Sequence, residues 1–517
     1  MELPSLAGRI PTIGTVAMNL ASILTRTAGQ HGDRPAVRLG EDAMSYRELD
    51  EASARAAGLL RDRGILPGDR VGVMLPNTPE FAVVYYGVLR AGGVVVPMNP
   101  LLKAREVAYY LGDSGAPLMF AWHGFADEAS AGAKRAETEA LVVDPASFGE
   151  TLASAPSARE VAERADDDTA VILYTSGTTG QPKGAELTHA NLARNTEVGR
   201  TDLFRLTPED VIFGGLPLFH SFGQTCTLNA AVSSGASLSL LPRFDPVRAL
   251  QILAGHRATV FMAVPTMYTA LLHSPDRAAY DVSALRLGVS GGAAMPVEVL
   301  RGFEEAFGCP VLEGYGLSET SPLASFNHPD RERKPGTIGT PIRGVEMRVV
   351  DEQGVEVPQG EVGEIVIRGH NVMKGYWRRP EETAKAIPDG WFRTGDIGRV
   401  DEEGYFAIVD RKKDLIIRGG YNVYPREVEE VLYEHPAVAE AAVIGLPHPE
   451  LGEEVGAAVV LKPGASVTAE ALRDHVKAQV AAYKYPRKVW IVEALPKTAT
   501  GKILKREIVP PADLGER

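Results

Sequence analysis

The chain has 517 residues, of which 44% are hydrophobic and 23% are charged, so it can form two or more globular domains. Its net charge of −13 argues against nucleic acid as the main partner, because no strong positive field surrounds the molecule. The two cysteines, Cys226 and Cys309, exclude a disulfide framework and a CxxC metal site.

The N-terminal segment has an acidic residue at position 2 and no basic stretch before an apolar one, which is not typical of a signal peptide. No apolar run is long enough to span a bilayer. These two features predict a cytoplasmic protein.

The first half of the chain alternates helical and strand patterns. Ser45 and Glu48 have the spacing of a capping box and predict a helix that runs to about Arg63 and ends at Gly64. A buried strand is predicted over 70–75, and another helix begins at Pro79. This alternation favours parallel sheets covered by helices.

A loop rich in glycine and hydroxyl residues follows the apolar run Ala170–Leu173. Glycines let successive backbone N–H groups turn toward an anion, so the loop suggests a phosphate site. The Walker A pattern fails, because Lys183 follows Pro182 and precedes Gly184. The alternative is a flexible turn between two strands.

The pattern changes at Arg343. Short alternating strands over 343–409 predict a small β-barrel or a distorted sheet. After the charged stretch 410–414, helices near Pro425–Glu434 and Ala469–Ala482 and strands at Val438–Ile444 and Val489–Val492 predict a small α+β domain. The predicted domains are therefore 1–410 and 411–517.

Seven motifs together resemble those of the adenylate-forming enzymes, which include acyl- and aryl-CoA synthetases, peptide-synthetase adenylation domains and firefly luciferase. The resemblance extends from about Leu20 to Arg506. It implies an α/β fold: a large N-terminal domain of two helix-covered sheets plus a small β-barrel, joined by a hinge to a small α+β C-terminal domain. The motifs are Tyr174–His189, Leu216–Gly223, Ser290–Pro296, Glu313–Pro322, Trp391–Asp396, Asp410–Asp414 with Gly419–Pro425, and Pro496–Lys505.

The resemblance implies a reaction in which a carboxylate attacks the α-phosphorus of ATP and the acyl group of the resulting acyl-AMP passes to CoA. AMP is a good leaving group where oxide is not, and the protein's main task is to hold two anions together and stabilise charge on phosphorus. The residues implied to bind the phosphates are Thr175, Ser176, Gly177, Thr178, Thr179, Gly180 and Lys183.

Further roles come from the same resemblance. Glu319 resembles the Mg²⁺ ligand of the family, with Thr175 as a second contact, and Asp396 resembles the acid that binds the ribose hydroxyls, with Arg411 beside it. The alternative for Glu319 is a helix-capping carboxylate, which its neighbours disfavour. An aspartate after a glycine is by itself more often a turn residue, and only the neighbouring Trp391–Gly395 favour the ribose role of Asp396. The nucleotide-binding set also includes Gly292, Ala293, Glu313, Gly314, Tyr315, Gly316 and Ser318.

Lys502 resembles the family's mobile-loop lysine, which bridges the carboxylate and the α-phosphate; the alternative is a solvated lysine. Lys413 resembles the hinge about which the small domain swings between the two half-reactions. It is also counted among the nucleotide-binding residues. After that swing, Gly419, Gly420 and Tyr421 would lie on the CoA side of the site.

The acid is expected to be apolar. His220 stands where amino-acid-activating relatives carry an aspartate, among apolar neighbours that include Phe219. It could act near the substrate carboxylate or be a packed ring. Gly291 and Gly292 leave room for an extended chain, so a medium- or long-chain fatty acid is favoured over an aryl acid.

CoA is the expected acceptor, because no insertion typical of carrier-dependent ligases lies between Gly344 and Asp410. The alternatives are an acyl carrier protein as acceptor, a luciferase-type oxidation, and a non-catalytic nucleotide sensor. A sensor would not need the Lys502 loop.

Overall fold

The computed structural model describes residues 19–175, 181–411 and 414–511. Helices and strands alternate through the first three hundred residues, as the sequence predicts. The helices are α1 (Ser22–His31), α2 (Tyr46–Asp62), α3 (Pro79–Arg90), α4 (Ala104–Ser114), α5 (Ala126–Arg135), α6 (Pro145–Ser154), α7 (His189–Val198), α8 (Ala230–Ser234), α9 (Pro246–Gly255), α10 (Pro265–Leu272), α11 (Val297–Phe307), α12 (Pro380–Ala386), α13 (Pro425–Glu434) and α14 (Ala469–Lys477).

The strands are short, and most are buried. They are β1 (Pro35–Leu39), β2 (Asp42–Ser45), β3 (Arg70–Met74), β4 (Val94–Pro97), β5 (Leu118–Trp122), β6 (Glu139–Val143), β7 (Thr169–Thr175), β8 (Lys183–Thr188), β9 (Val211–Gly214), β10 (Ser237–Leu240), β11 (Val260–Ala263), β12 (Leu287–Ser290), β13 (Val311–Gly316), β14 (Leu323–Phe326), β15 (Thr340–Pro341), β16 (Val345–Val350), β17 (Gly363–Gly369), β18 (Gly375–Tyr376), β19 (Phe392–Val400), β20 (Phe406–Arg411), β21 (Ile416–Arg418), β22 (Tyr421–Val423), β23 (Val438–His448), β24 (Gly452–Leu461) and β25 (Lys488–Ile491).

Two large sheets form the first part of the fold. One has the order β18-β8-β7-β4-β3-β5-β6, and the other has the order β15-β14-β13-β12-β11-β9-β10-β1-β2. The strands from β7 to β6 pair in parallel, as do those from β13 to β1, and antiparallel strands are confined to the ends of each sheet. The α/β class with two helix-covered sheets is confirmed.

The capping box that begins α2 is confirmed. The backbone N–H of Ser45 donates to Glu48 Oε2 at 2.7 Å, and the Ser45 hydroxyl accepts from the Glu48 N–H at 3.3 Å. The helix ends at Asp62, and Gly64 takes a φ of +76°, a left-handed conformation that glycine adopts without strain.

The segment predicted as a barrel or distorted sheet forms a four-stranded antiparallel sheet in the order β16-β17-β19-β20. Register shifts between Glu364 and Val366 and between Ile397 and Gly398 bend it. A backbone bridge between Gly339 and Phe406 links this sheet to the segment that precedes it.

The last hundred residues contain a five-stranded sheet in which β22, β21, β24 and β23 are neighbours and β25 pairs with β24. One face is covered by α13 and α14 around a hydrophobic cluster that runs from Ile416 to Val489, and the other face packs on Leu495 and Ile508 of the last segment. The predicted helix Pro425–Glu434 is confirmed. The second predicted helix ends at Lys477, five residues early, and the Gln479 N–H beyond it bonds to the Val476 carbonyl three residues back at 2.9 Å, which is a tighter turn. The boundary after Asp410 stays a prediction.

Among the described residues, none of the helices combines the length and apolar character needed to cross a membrane.

Candidate active site

The carboxyl ends of parallel strands from both large sheets meet at one cavity. Its volume is about 910 Å³, and Thr175 at the end of β7, Gly291 just after β12 and Gly316 at the end of β13 line it. Ligands in open α/β sheets bind at such strand ends. Of the residues that the sequence implicates, it is also lined by Lys183, Phe219, His220, Gly292, Gly314, Tyr315, Ser318, Glu319, Asp396, Arg411 and Lys502.

The predicted phosphate loop connects two antiparallel strands. Thr175 on β7 and Lys183 on β8 are register partners, so both ends of the loop open into the cavity. Lys183 forms an ion pair with Glu382 and lies 5.3 Å from the centre of the Tyr376 ring. Five of the seven residues between them lie outside the described residues: Ser176, Gly177, Thr178, Thr179 and Gly180.

Glu319 lies in a 3₁₀ turn after β13, and its carboxylate joins three segments of the chain. Its Oε1 accepts from the Thr175 hydroxyl at 3.1 Å and from the Tyr376 hydroxyl at 3.2 Å. The described residues contain no cluster of three or more metal-binding side chains. One carboxylate beside a phosphate loop fits Mg²⁺, which usually takes one or two carboxylates and completes its shell with phosphates and water.

Asp396 on β19 is 4% exposed and forms a cluster with a tyrosine and an arginine. Tyr315 donates from its hydroxyl to Asp396 Oδ2 at 2.6 Å, and Arg411 Nε lies 3.2 Å from Oδ1. Each carboxylate oxygen can accept two hydrogen bonds and has one of these partners here, so both oxygens retain capacity for ribose hydroxyls. Burial, and then the Asp396 charge, raises the pKa of Tyr315, which keeps the phenol protonated as a donor. The predicted hinge residue Lys413 lies outside the described residues.

Close packing requires glycine at two of the predicted nucleotide-binding positions. A Cβ on Gly314 would lie 1.9 Å from the Phe326 ring, and a Cβ on Gly316 would lie 1.6 Å from the Pro322 carbonyl oxygen. Gly292 differs, because it has a φ of +79° and an added Cβ would meet only Val264 at 3.4 Å. The wall of the large cavity at Gly292 therefore consists of backbone atoms.

Glu313 and Ala293 line a second, smaller cavity of about 210 Å³. The Glu313 carboxylate accepts from the Met295 N–H at 2.9 Å, and its Oε2 is buried with no hydrogen bond among the described residues. Burial raises the pKa of Glu313 to about 7, against the opposing effects of Arg426 and the Met295 N–H. The Glu313 side chain therefore lies toward the C-terminal segment that contains Arg426. The spacing of residues along the sequence does not reveal this position.

Replacing Glu313 with glutamine is expected to flatten the pH dependence of stability. A carboxyl whose pKa rises from 4.5 to about 7 on folding stabilises the fold fully below its unfolded pKa. That stabilisation, about 3 kcal/mol, is lost as the pH rises through about 7. Thermal unfolding of the wild type should therefore weaken more than that of Glu313→Gln between about pH 5 and pH 8.

The exposed Glu298→Gln is the matched control and should follow the wild type. Equal weakening of the wild type and Glu313→Gln would contradict the assignment of this proton to Glu313.

His220 and Phe219 stand on the wall of the large cavity, in the turn that follows β9. Burial, and then the nearby Lys502 ammonium, lowers the pKa of His220 to about 4. The imidazole is therefore uncharged at neutral pH and can donate or accept one hydrogen bond near a carboxylate without adding charge. The sequence left two interpretations of His220, a group near the substrate carboxylate and a packed ring. Its position on the cavity wall agrees with the first.

Lys502 reaches the large cavity from the C-terminal segment. Its loop is a tight turn in which the Thr498 N–H donates to the Lys502 carbonyl at 2.8 Å and Gly501 has a φ of +81°. Thr266 at the start of α10 anchors the turn by donating to the Gly501 carbonyl at 2.9 Å. The structure thus brings the lysine of the last motif to the residues of the earlier motifs.

The residues predicted for the CoA side lie elsewhere. Gly419, Gly420 and Tyr421 are exposed and line neither cavity, and the Tyr421 ring stacks on Tyr483 with 4.9 Å between ring centres. Their role depends on the predicted swing of the small domain and stays a prediction.

Several residues of the site were missed by sequence reasoning, among them Tyr376 and Glu382 on the large cavity and Thr266 on the smaller one. The first two reach the cavity because β18 pairs with β8 across almost two hundred residues of sequence. The Gly375-Tyr376-Trp377 stretch, an aromatic pair after a glycine, was the only local signal for this strand.

Two family models match the chain. The model described as AMP-binding enzyme matches residues 24–377, and the model described as AMP-binding enzyme C-terminal domain matches residues 427–502.

Curated proteins of similar sequence are CoA ligases. A long-chain-fatty-acid–CoA ligase of Bacillus subtilis (strain 168) is 38% identical, covering 95% of this chain and 94% of its own length. A feruloyl-CoA synthase of Amycolatopsis sp is also 38% identical, covering 95% of this chain and 98% of its own length.

Solved structures agree with the fold. The crystal structure of ATP-bound MatB from Rhodopseudomonas palustris has a TM-score of 0.87 at 38% identity, covering 95% of this chain and 98% of that one. The anthranilate CoA ligase AuaEII in complex with anthranoyl-AMP has a TM-score of 0.91 at 30% identity, covering 95% and 96%.

Proposed function

The chain belongs to the AMP-binding enzyme family, and on that basis we propose that it is an AMP-forming acid–thiol ligase that activates a carboxylic acid with ATP and transfers the acyl group to CoA. The observation that carries the proposal is the position of Lys502 in one cavity with Lys183, Glu319, Asp396 and His220. These residues are spread over more than three hundred positions of the sequence. The fold brings together the two cations, the Glu319 carboxylate that suits a metal ion, and the Asp396 carboxylate proposed to bind the ribose.

In the first half-reaction, a carboxylate oxygen of the acid attacks the α-phosphorus of ATP, and the bond from the α-phosphorus to the bridging oxygen breaks to release pyrophosphate. Lys183 and the loop after Thr175 hold the departing phosphates, and Lys502 stabilises the charge that develops between the carboxylate and the α-phosphate. Asp396 fixes the ribose, which aligns the phosphorus with the attacking oxygen. Glu319 would hold Mg²⁺, which would supply positive charge to neutralise the phosphates.

In the second half-reaction, the CoA thiolate attacks the acyl carbonyl, and the carbon–oxygen bond to AMP breaks. Residues 411–517 would turn about Lys413, moving Lys502 out of the cavity and bringing Gly419, Gly420 and Tyr421 toward it. Their exposure here and their absence from both cavities agree with a role confined to this second state.

A fatty acid is the proposed substrate. The cavity wall beside His220 includes Leu216, Pro217, Phe222 and Val264, which suit an apolar acyl group. The similarity to a long-chain-fatty-acid–CoA ligase supports this assignment. The similarity to a feruloyl-CoA synthase over almost its whole length supports an aromatic acid as the second candidate.

The test is a competition assay with purified protein, ATP, Mg²⁺ and CoA. Short, medium and long fatty acids would be supplied together with aromatic and dicarboxylic acids, and acyl-CoA products and AMP would be read by mass spectrometry. We expect fatty acyl-CoA with an equal amount of AMP. Acyl-AMP that accumulates without thioester would instead identify an acyl carrier protein as the acceptor, and aryl-CoA alone would replace the fatty acid as substrate.

A further inference from the structure

Lys183, which the proposed mechanism assigns to the departing phosphates, has a carboxylate partner in the large cavity. Its ammonium forms an ion pair with Glu382, and both side chains line the cavity. The Lys183 side chain is 14% exposed and the Glu382 side chain is 33% exposed, so salt and solvent screen this pair less than an ion pair on the surface. A phosphate that binds to Lys183 must therefore compete with Glu382.

Glu382 is held toward the cavity by the fold of its own segment. β18 pairs with β8, and the Tyr376 N–H donates to the Thr383 hydroxyl at 2.8 Å, which fixes α12 against this pair of strands. Three residues of α12 line the cavity, Glu382, Lys385 and Ala386, and residues three or four apart share one face of a helix. The face of α12 that carries Glu382 is therefore the one turned toward the cavity.

The charge on Glu382 acts mainly on Lys183. The hydrogen bond from Lys183, followed by the Lys183 charge, lowers the pKa of Glu382, so the carboxylate is ionised at neutral pH. Lys385 lies 3.6 Å from the other carboxylate oxygen, but its side chain is 73% exposed and solvent weakens that contact. Among the described residues, Lys183 is thus the main partner of Glu382.

The position of Lys183 does not depend on Glu382 alone. Lys183 lies on β8 opposite Thr175, so the sheet fixes its backbone. Its ammonium lies 5.3 Å from the centre of the Tyr376 ring, within the range of a cation–π contact. Removing the charge of Glu382 should therefore leave the lysine in the cavity and change only the competition for it.

We propose that Glu382 is a positioning residue that competes with phosphate for Lys183 and so weakens the binding of ATP and of pyrophosphate. The ion pair breaks when a phosphate binds and re-forms when pyrophosphate leaves, so its free energy opposes binding and favours release. Equally tight binding of the phosphates before and after the reaction would not speed the chemical step, and slow product release limits many enzymes. This inference rests on the proposed function and adds a residue that controls release of its first product.

Glu382→Gln is expected to bind magnesium pyrophosphate and magnesium ATP about fivefold more tightly than the wild type. Glutamine keeps the shape of the side chain and can still accept a hydrogen bond from the ammonium, but it carries no charge. Binding would be measured by titration calorimetry without a carboxylic acid, so that no adenylate forms. In steady-state assays, KM for ATP and the inhibition constant of pyrophosphate should fall by similar factors, whereas a purely structural defect would raise them.

Glu381→Gln is the matched control. Glu381 precedes Glu382 in the first turn of α12, is exposed and lines neither cavity, so its replacement removes the same charge from the same helix turn. This variant should bind pyrophosphate as the wild type does. In a Lys183→Met background, Glu382→Gln should change pyrophosphate affinity by less than about twofold, because the cation for which the two anions compete is gone.

Unchanged or weaker binding of pyrophosphate by Glu382→Gln would overturn the inference, and weaker binding would assign the carboxylate to the support of Lys183 or Mg²⁺. A gain of similar size that persists in the Lys183→Met background would overturn it as well, because the effect would then be direct repulsion between Glu382 and the phosphates. Both results leave the proposed function intact. A wild type that binds neither ATP nor pyrophosphate would overturn the proposed function and this inference together.

Discussion

Replacing Lys502 with alanine is expected to slow acyl-adenylate formation by about 10²–10³-fold and to leave thioester formation from supplied acyl-adenylate nearly unchanged. The ammonium lies in the cavity beside His220 and is held there by the turn that Thr266 anchors at Gly501. A preorganised cation stabilises charge that develops in the transition state without cost for reorganisation. In the second half-reaction the proposed swing removes this loop, so its charge is not needed.

The two half-reactions would be measured separately, by release of pyrophosphate and by conversion of synthetic acyl-adenylate and CoA to thioester. Lys477→Ala, which removes an exposed lysine from α14 of the same C-terminal segment, is the matched control and should leave both rates unchanged. Equal loss of both half-reactions in Lys502→Ala would refute the role given to Lys502.

Replacing Glu319 with glutamine is expected to reduce the rate of adenylation by about 10²-fold and to raise the Mg²⁺ concentration needed for half-maximal rate. The carboxylate lies between Thr175 and Tyr376, whose hydroxyls both donate to Oε1. Glutamine can still accept these hydrogen bonds through its amide oxygen, so the local structure is kept while the charge that attracts the cation is removed.

The measurement is a Mg²⁺ titration of pyrophosphate release. Glu346→Gln, on the exposed face of β16, removes an equal charge away from the cavity and should titrate as the wild type does. A Glu319→Gln enzyme with an unchanged Mg²⁺ requirement and a lower rate would assign the carboxylate to a structural role.

The regular elements could be predicted from the sequence where local signals dominate. The capping box at Ser45 and Glu48 fixed the start of α2, and the apolar run before the glycine-rich loop predicted β7. The α/β class followed from alternation of these patterns, and motif order identified the residues that meet in the large cavity. The end of α14 was predicted too late, and the tighter turn in which the Gln479 N–H bonds to the Val476 carbonyl has no clear signal in the sequence.

Side-chain direction and long-range pairing could not be predicted in this way. Glu313 is predicted among the nucleotide-binding residues, and that role stays a prediction; the bond of its carboxylate to the Met295 N–H is set by tertiary packing and could not be read from the sequence. Tyr376 reaches Glu319 because of the pairing of β18 with β8, which depends on the assembled sheet.

In the proposed first half-reaction, an acyl-adenylate forms by attack of the carboxylate on the α-phosphorus. The most direct test supplies an accepted acid with heavy oxygen in its carboxylate, together with ATP, Mg²⁺ and CoA, and follows the label by mass spectrometry. We expect one heavy oxygen in the phosphate of AMP for each thioester formed, because the carbon–oxygen bond to AMP is the one that breaks. Label in inorganic phosphate, with ADP as the nucleotide product, would contradict it and indicate an acyl phosphate instead.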